Sequence, residues 1–179
     1  MDAPMMRSLP QSIEAEQSVI GAMLIDKNAM AKVFEKLEEE DFYRDGHKVI
    51  YNAIKEMYAK DMAVDLVTLL EHLKSADMLE KAGGVTYISE LSASVPTTAN
   101  LSSYIKIVEE KSTLRKLIKT STSIIEESYN NGGDVEKVID IAQKKIFDLA
   151  ENKDSKEYEP LSSVLERGFI EIERLFNNK

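Results

Sequence analysis

One long segment of the chain, from Leu101 to Tyr129, contains neither glycine nor proline, and this limits the possible fold more than any other feature. Apolar side chains recur along it at intervals of three, four and seven residues, the spacing of a helix face. Asn100 stands directly before the segment and is a favoured N-cap residue. The sequence therefore predicts a single long α-helix.

The residues that follow predict a helix running back along the first. Asn130 to Gly133 reads Asn-Asn-Gly-Gly, and these residue types tolerate the positive φ values of a tight turn. Asp134 is then expected to cap a return helix that ends near Glu151. Two long helices joined by so short a turn must be antiparallel, so residues 100–151 are predicted to form a helical hairpin.

The region before the long helix, residues 9–96, carries several shorter helical patterns. Four helix starts are marked by a capping side chain followed by apolar residues at helical spacing: Ser12, Asp26, Asp45 and Asp65. Gly83 and Gly84 break the chain before another short helix, and Pro96 ends the series because it disfavours helical geometry in the preceding residue. These short helices predict a compact bundle, preceded by a disordered N-terminus at residues 1–8.

The end of the chain reads as a polar linker, residues 152–160, followed by an amphipathic helix, residues 161–177. A short helix after a flexible linker is marginal in water on its own. We therefore expect its apolar face to dock on a partner surface, although packing on its own bundle stays an open alternative. The residues expected to make this contact are Leu161, Leu165, Phe169 and Ile172.

The predicted hairpin has more apolar positions than two paired helices can bury. One stripe of its first helix, running from Tyr104 and Val108 to Ile125, is expected to be covered by the return helix. Surplus side chains must then meet another chain or the bundle, and burying one Leu or Ile contributes roughly 1.5–3 kcal/mol. We assign self-association to four positions of the hairpin: Leu114, Leu117, Ile125 and Ile141. Their burial within a single copy is the alternative.

The sequence lacks the residue patterns of a catalytic, metal or cofactor site. It has no cysteine, no Gly-rich phosphate-binding loop, and two histidines, His47 and His72, in different predicted helices. Each histidine is interpreted as a surface residue or one satisfied by internal hydrogen bonds. The acidic run from Glu38 to Asp41 is interpreted as solvated, with Asp41 as a cap and the aromatic side chains after it plugging the bundle. We therefore predict no enzyme activity.

The charge and hydropathy of the chain argue against nucleic acids and membranes as its direct partners. The net charge is −9, so the chain is a poor stand-alone nucleic-acid binder. The basic cluster of Arg115, Lys116 and Lys119 is interpreted as a solvated helix face, with a local nucleic-acid footprint as the alternative. No apolar run is long enough to span a membrane and the N-terminus lacks a secretory signal, so a cytoplasmic protein is expected.

Several stretches, in order along the chain, resemble the N-terminal region of DnaB-family hexameric replicative DNA helicases. These are LPQSIEAEQSVIG at 9–21, EDFY at 40–43, VDLVTL at 64–69, GGVTYI at 83–88, VPTTAN at 95–100 and IVEEKSTLR at 107–115. The likeness extends from about residue 9 to 175. The family's ATPase motor, with its ATP and Mg²⁺, has no counterpart in the sequence, so the chain is expected to be a non-enzymatic fragment.

The resemblance implies a role within a ring-shaped hexamer that unwinds DNA 5′ to 3′ with ATP at the replication fork. The bundle and hairpin would form an N-terminal collar in which hairpins pair subunits, and the terminal helix would dock on a neighbouring motor domain. The collar would recruit primase, a helicase loader would be a further partner, and DNA would be bound by the parent hexamer in the bacterial replisome at the nucleoid. By resemblance, primase contacts are expected at Glu14, Tyr87, Ile118 and Ile124.

Two alternative functions, each of a different functional class, remain open. A stand-alone adaptor, such as the helicase-binding region of a primase, has a similar plan of bundle and hairpin. An enzyme that uses carboxylates is the third reading.

Overall fold

The computed structural model describes residues 8–93, 97–130 and 134–154, and the regular structure of these residues is entirely helical. The α-helices are α1 Ile13–Ile25, α2 Lys27–Lys36, α3 Asp45–Ala59, α4 Leu66–Ser75, α5 Gly84–Ala93, α6 Leu101–Asn130 and α7 Val135–Asp154. A single 3₁₀ turn, Glu39–Asp41, lies between α2 and α3. The predicted all-α class is confirmed.

Some predicted elements lie outside the described residues. These are nearly all of the N-terminal segment 1–8, the turn at 131–133, most of the linker 152–160 and the terminal helix 161–177, including Leu161, Leu165, Phe169 and Ile172.

Three of the four predicted capping side chains, which mark the starts of α1, α2 and α4, are confirmed. Ser12 Oγ accepts a hydrogen bond from the Ala15 amide at 3.4 Å, and Asp26 Oδ1 accepts one from the Asn28 amide at 2.8 Å. Asp65 Oδ1 accepts from the amides of Val67 and Thr68. Each bond satisfies an amide that has no partner within its own helix.

The prediction that Asp45 caps α3 is wrong. Arg44 occupies the N-cap position, and Asp45 lies in the first turn with its Oδ1 2.8 Å from Lys48 Nζ. Among the described residues, no side chain caps the first turn of α3. Glu16 of α1 instead binds the backbone directly before the helix, because its Oε1 accepts from the Tyr43 amide at 2.8 Å.

The hydrophobic core joins α1 to α5 with the beginning of α6. Its largest fully buried side chains lie on α1, α3, α4 and α5 and in the segment between α2 and α3: Ile20, Met23, Leu37, Phe42, Ile50, Tyr51, Ile54, Met57, Leu69, Leu73, Ile88 and Leu91. Leu101, Ile105 and Val108 of α6 lie in the same core, so its packing continues past the expected boundary near residue 96. The compact unit formed by this core extends to Glu126.

Val108 was expected on the stripe covered by the return helix, and this interpretation is wrong. Its side chain is 2% exposed in the bundle core. At roughly 100° per residue, Val108 lies about 120° around α6 from Leu114, so the two side chains do not share a face.

The second compact unit begins at Glu127 and contains the end of α6 and all of α7. Within it, Lys145 Nζ of α7 lies 3.9 Å from Glu127 Oε1 of α6. Among the helices that the structure describes, none combines the length and apolar content required to cross a bilayer.

Candidate functional site

One side of α6 is apolar and exposed. The exposed fractions are 45% for Leu114, 41% for Leu117, 43% for Ile118 and 55% for Ile125. Leu114, Ile118 and Ile125 lie within roughly 40° of one another around the helix, with Leu117 on the flank. We call these four side chains the α6 surface. Because the core contacts of α6 are made from another side of the helix, this surface is not needed to anchor α6 to the bundle.

The second unit also exposes large apolar side chains. On α7, Val135 is 67% exposed, Ile139 51% and Phe147 60%, whereas Ile141 is half-buried. Of the four positions predicted for self-association, three therefore belong to the α6 surface and the fourth is partly covered. Their role in association stays a prediction.

The four positions expected from resemblance to contact primase divide between two regions. Glu14 on α1 is exposed and Tyr87 on α5 is half-buried, and α1 packs against α5. Ile118 belongs to the α6 surface, while Ile124 is half-buried farther along the same helix. All four positions stay predictions.

A buried polar network lies beneath Tyr87. The side chains of Glu16 and His47 are 1% and 0% exposed, and Glu16 Oε2 lies 2.6 Å from His47 Nδ1. The other ring nitrogen of His47, Nε2, lies 2.6 Å from the Tyr87 hydroxyl. Gln17 Nε2 donates to the same hydroxyl at 3.2 Å. The network therefore connects the bundle core to a side chain at the surface.

Both ring nitrogens of His47 have hydrogen-bond partners. A carboxylate only accepts, so Nδ1–H donates to Glu16, and Nε2 shares the second hydrogen bond with the Tyr87 hydroxyl, which can donate or accept. The interpretation of His47 as a satisfied histidine agrees with this arrangement. Its partners could not be found from sequence, because Glu16 and Tyr87 are 31 and 40 positions away in the chain.

A second buried cluster is centred on Asp41, whose side chain is 2% exposed. Oδ1 accepts from Ser112 Oγ and from Lys116 Nζ, both at 2.7 Å, and Oδ2 accepts from the Glu38 amide at 2.9 Å. Burial raises the pKa of Asp41, but the hydrogen bonds from Lys116, Ser112 and Glu38, with the charge of Lys116, bring it below the ordinary value. Asp41 is therefore held as a carboxylate.

The Arg115 guanidinium extends this cluster. Nη2 donates to the Asp41 carbonyl oxygen at 2.6 Å and Nη1 to that of Pro10 at 2.8 Å. The interpretation of Arg115 and Lys116 as a solvated basic face is wrong, because both cations bind the bundle. The same contacts remove support for a nucleic-acid footprint at these two residues.

The solvated interpretation of the acidic run is also wrong for Asp41, although its expected role as a cap is confirmed by the Glu38 amide. Phe42, which follows it, is 1% exposed in the core, as the predicted plug requires. In the described part of the chain, no group of three His, Asp or Glu side chains is arranged to hold a metal ion.

Comparisons with known proteins agree on one family. The family model described as "DnaB-like helicase N terminal domain" matches residues 8–110. The replicative DNA helicase DnaC of Bacillus subtilis is 41% identical over 95% of this chain, and the replicative DNA helicase DnaB of Geobacillus stearothermophilus is 42% identical over 94%. The chain spans 37% of the length of each of these two relatives.

Solved structures give the same result. The crystal structure of the N-terminal domain of DnaB helicase from Mycobacterium tuberculosis has a TM-score of 0.73 and 40% identity, covering 79% of this chain and 99% of its own. A structure of a DnaB-like replicative helicase and its interactions with primase has a TM-score of 0.65 and 26% identity. That match covers 87% of this chain and 34% of the other.

Proposed function

The chain belongs to the DnaB-like helicase N-terminal domain family, and from this premise we propose that it is the assembly and partner-recruiting region of a replicative DNA helicase. In this proposal, ATP-driven unwinding, with its ATP and Mg²⁺, belongs to the motor region of such a helicase. The chain itself performs no catalysis. DNA is bound by the assembled hexamer, in the cytoplasm at the replication fork.

The α6 surface is the observation that carries the proposal. Its four side chains are roughly half exposed, so covering them completely would contribute about 3–6 kcal/mol on one copy. Association costs of about 4 kcal/mol or more would cancel most of that gain. A symmetric contact buries the same surface on two copies and doubles the gain, which supports pairing of identical chains.

Primase is the proposed partner for recruitment. The support is the similar helicase structure that is described together with its interactions with primase. We propose Glu14, Tyr87, Ile118 and Ile124 as contact residues. A helicase loader, and a neighbouring motor domain that receives Leu161, Leu165, Phe169 and Ile172, are further proposed partners.

The adaptor reading, in which the chain belongs to a primase, has less support. Both relatives named above are replicative helicases, and each is matched over more than nine-tenths of this chain.

Sedimentation velocity of the purified chain, alone and with purified primase, tests the proposal. We expect dimers or rings at micromolar concentration and a faster complex when primase is added. A chain that stays monomeric and sediments apart from primase would contradict both parts. A parallel ATPase assay should show no turnover, and measurable turnover would overturn the non-catalytic assignment.

A further inference from the structure

An exposed arginine is held against the aromatic ring at the end of the buried network. The guanidinium carbon of Arg44 lies 4.2 Å from the centroid of the Tyr87 ring. Among the residues that the structure describes, none accepts a hydrogen bond from this guanidinium. Its five N–H donors are therefore available on a side chain whose position is restricted by the ring beneath it.

The ring is fixed from several directions. Its hydroxyl is bonded to His47 and Gln17, and its ring plane is nearly parallel to that of the His47 imidazole, at an interplanar angle of 10°. Gly83 leaves the space that the ring occupies, because a Cβ at that position would lie 2.7 Å from Tyr87 Cδ1. A planar donor group on a fixed ring is organised before any partner arrives, which lowers the entropy cost of binding.

The buried network is not explained by packing alone. Glu16 and His47 are polar groups in the core, and well-packed apolar side chains in such positions are often no less stabilising. What the polar pair adds is a defined position for the Tyr87 hydroxyl. A further hydrogen bond, from the Arg44 amide to Glu16 Oε2 at 3.4 Å, ties the backbone of the arginine to the same carboxylate.

The proposed function decides which anion meets this guanidinium. A recruited partner is a protein, and the anionic side chains of a protein at neutral pH are the carboxylates of Asp and Glu. The net charge of −9 opposes the approach of a polyanionic nucleic acid, whose phosphates an arginine fork would otherwise also fit. The fork meets a carboxylate with two parallel hydrogen bonds.

We propose that Arg44, held over Tyr87 by the Glu16–His47 pair, is an anchor for a carboxylate side chain in an acidic segment of a protein partner. This rests on the proposed recruiting function, which it deepens by naming the chemistry of one contact. Arg44 binds the carboxylate, and Tyr87, His47 and Glu16 are positioning residues.

A titration followed by NMR tests the anchor without primase. The arginine Nε–Hε signals of the whole chain are recorded while a short capped peptide of alternating alanine and glutamate is added. We expect a saturable shift of the Arg44 signal and none with the matched glutamine peptide. No shift with either peptide would overturn the proposal, and so would a stronger response to inorganic phosphate than to the glutamate peptide.

Variants separate binding from positioning. Arg44→Gln should weaken the peptide affinity about tenfold, as expected for loss of hydrogen bonds to a charged group. Lys60→Gln removes the same charge about 24 Å away, at the far end of α3, and should leave the affinity unchanged. Equal losses of peptide affinity in the two variants would show that only the overall charge of the chain matters. That result would overturn the proposal.

Tyr87→Phe keeps the ring but removes the hydroxyl, so we expect an intermediate loss of affinity with the Arg44 signal still present. An unchanged affinity would show that the network does not position the arginine. If the peptide binds as expected but primase does not bind the wild-type chain, the anchor stands and the recruitment of primase fails.

Discussion

The Nζ atom of Lys116 lies 2.7 Å from Oδ1 of Asp41, so a half-exposed cation of α6 pairs with a buried carboxylate of the bundle. Ser112, one turn earlier on α6, donates to the same oxygen. Since α6 carries the exposed apolar surface, these bonds hold that surface in a fixed relation to the bundle core.

Asp41→Asn should therefore destabilise the chain. The substitution removes the charge that strengthens the bonds from Lys116 and Ser112, and we expect a decrease of about 2 kcal/mol in the free energy of unfolding at neutral pH. Urea denaturation followed by circular dichroism measures it. Asp45→Asn is the control, because Asp45 is exposed and its partner Lys48 lies on the same helix. Equal urea midpoints for Asp41→Asn and Asp45→Asn would contradict a stabilising role for the buried carboxylate.

The contribution of Asp41 should also depend on pH. Its folded-state pKa lies below the ordinary value, so the stabilisation is complete above that ordinary value and is lost as the pH falls through the lowered pKa. The difference in unfolding free energy between wild type and Asp41→Asn should shrink in acid. A difference that stays constant down to strongly acidic pH would exclude an ionised Asp41 as its cause.

Tyr51→Phe should remove a buried hydrogen bond. The Tyr51 hydroxyl, with the side chain 0% exposed, donates to the Leu37 carbonyl oxygen at 2.6 Å, and the orphaned acceptor should cost about 1–3 kcal/mol. Urea denaturation measures the loss. Tyr129→Phe, at a side chain 87% exposed, should be neutral. A Tyr51→Phe variant as stable as wild type would show that the bond contributes nothing.

The same tyrosine should resist ionisation at alkaline pH. Burial and the carboxylates Glu38 and Asp41 raise the pKa of Tyr51 above its ordinary value. When the pKa of a group is higher in the folded state than in the unfolded state, the group stabilises the fold at pH values below its unfolded-state pKa. This contribution is lost as the pH rises through the folded-state pKa. Ultraviolet titration of wild type against Tyr51→Phe should show one tyrosine that ionises last. Loss of an early-titrating tyrosine in the variant would contradict this assignment.

Gly83→Ala should destabilise the chain more than Gly84→Ala. Both glycines have positive φ, at 108° and 79°, so both substitutions carry backbone strain of about 1 kcal/mol or more. At Gly83 the added Cβ would also clash with the Tyr87 ring, whereas nothing lies within 4 Å of a Cβ at Gly84. Thermal unfolding measures both. A Gly84→Ala loss as large as that of Gly83→Ala would mean that strain alone accounts for the effect.

Helix starts could be predicted because their chemistry is local. Ser12 and Asp65 bind amides two or three residues ahead, so the capping residue and its helix are adjacent in the sequence. The two buried clusters could not be predicted in this way. Glu16 binds the Tyr43 amide 27 residues later in the chain, and the partners of Asp41 on α6 lie more than 70 residues away.

The faces of α6 were predicted only in part. Its length and the grouping of Leu114, Ile118 and Ile125 on one face follow from helical spacing, whereas their exposure does not, because the spacing cannot show which apolar side packs against the bundle. Val108 was placed on the wrong side because its spacing from Leu101 and Ile105 fits a second face equally well. Only the packed core distinguishes the two faces.

Sedimentation equilibrium of Leu114→Asp against Val67→Asp tests the association surface most directly. Val67 on α4 is 69% exposed and Leu114 is 45%, so exposure alone would make Val67 the more sensitive site. We predict that the wild-type chain self-associates at micromolar concentration, and that Leu114→Asp raises the dissociation constant at least about tenfold with helicity unchanged. Val67→Asp should match wild type. A monomeric wild-type chain, or equal dissociation constants for Leu114→Asp and wild type, would contradict the account.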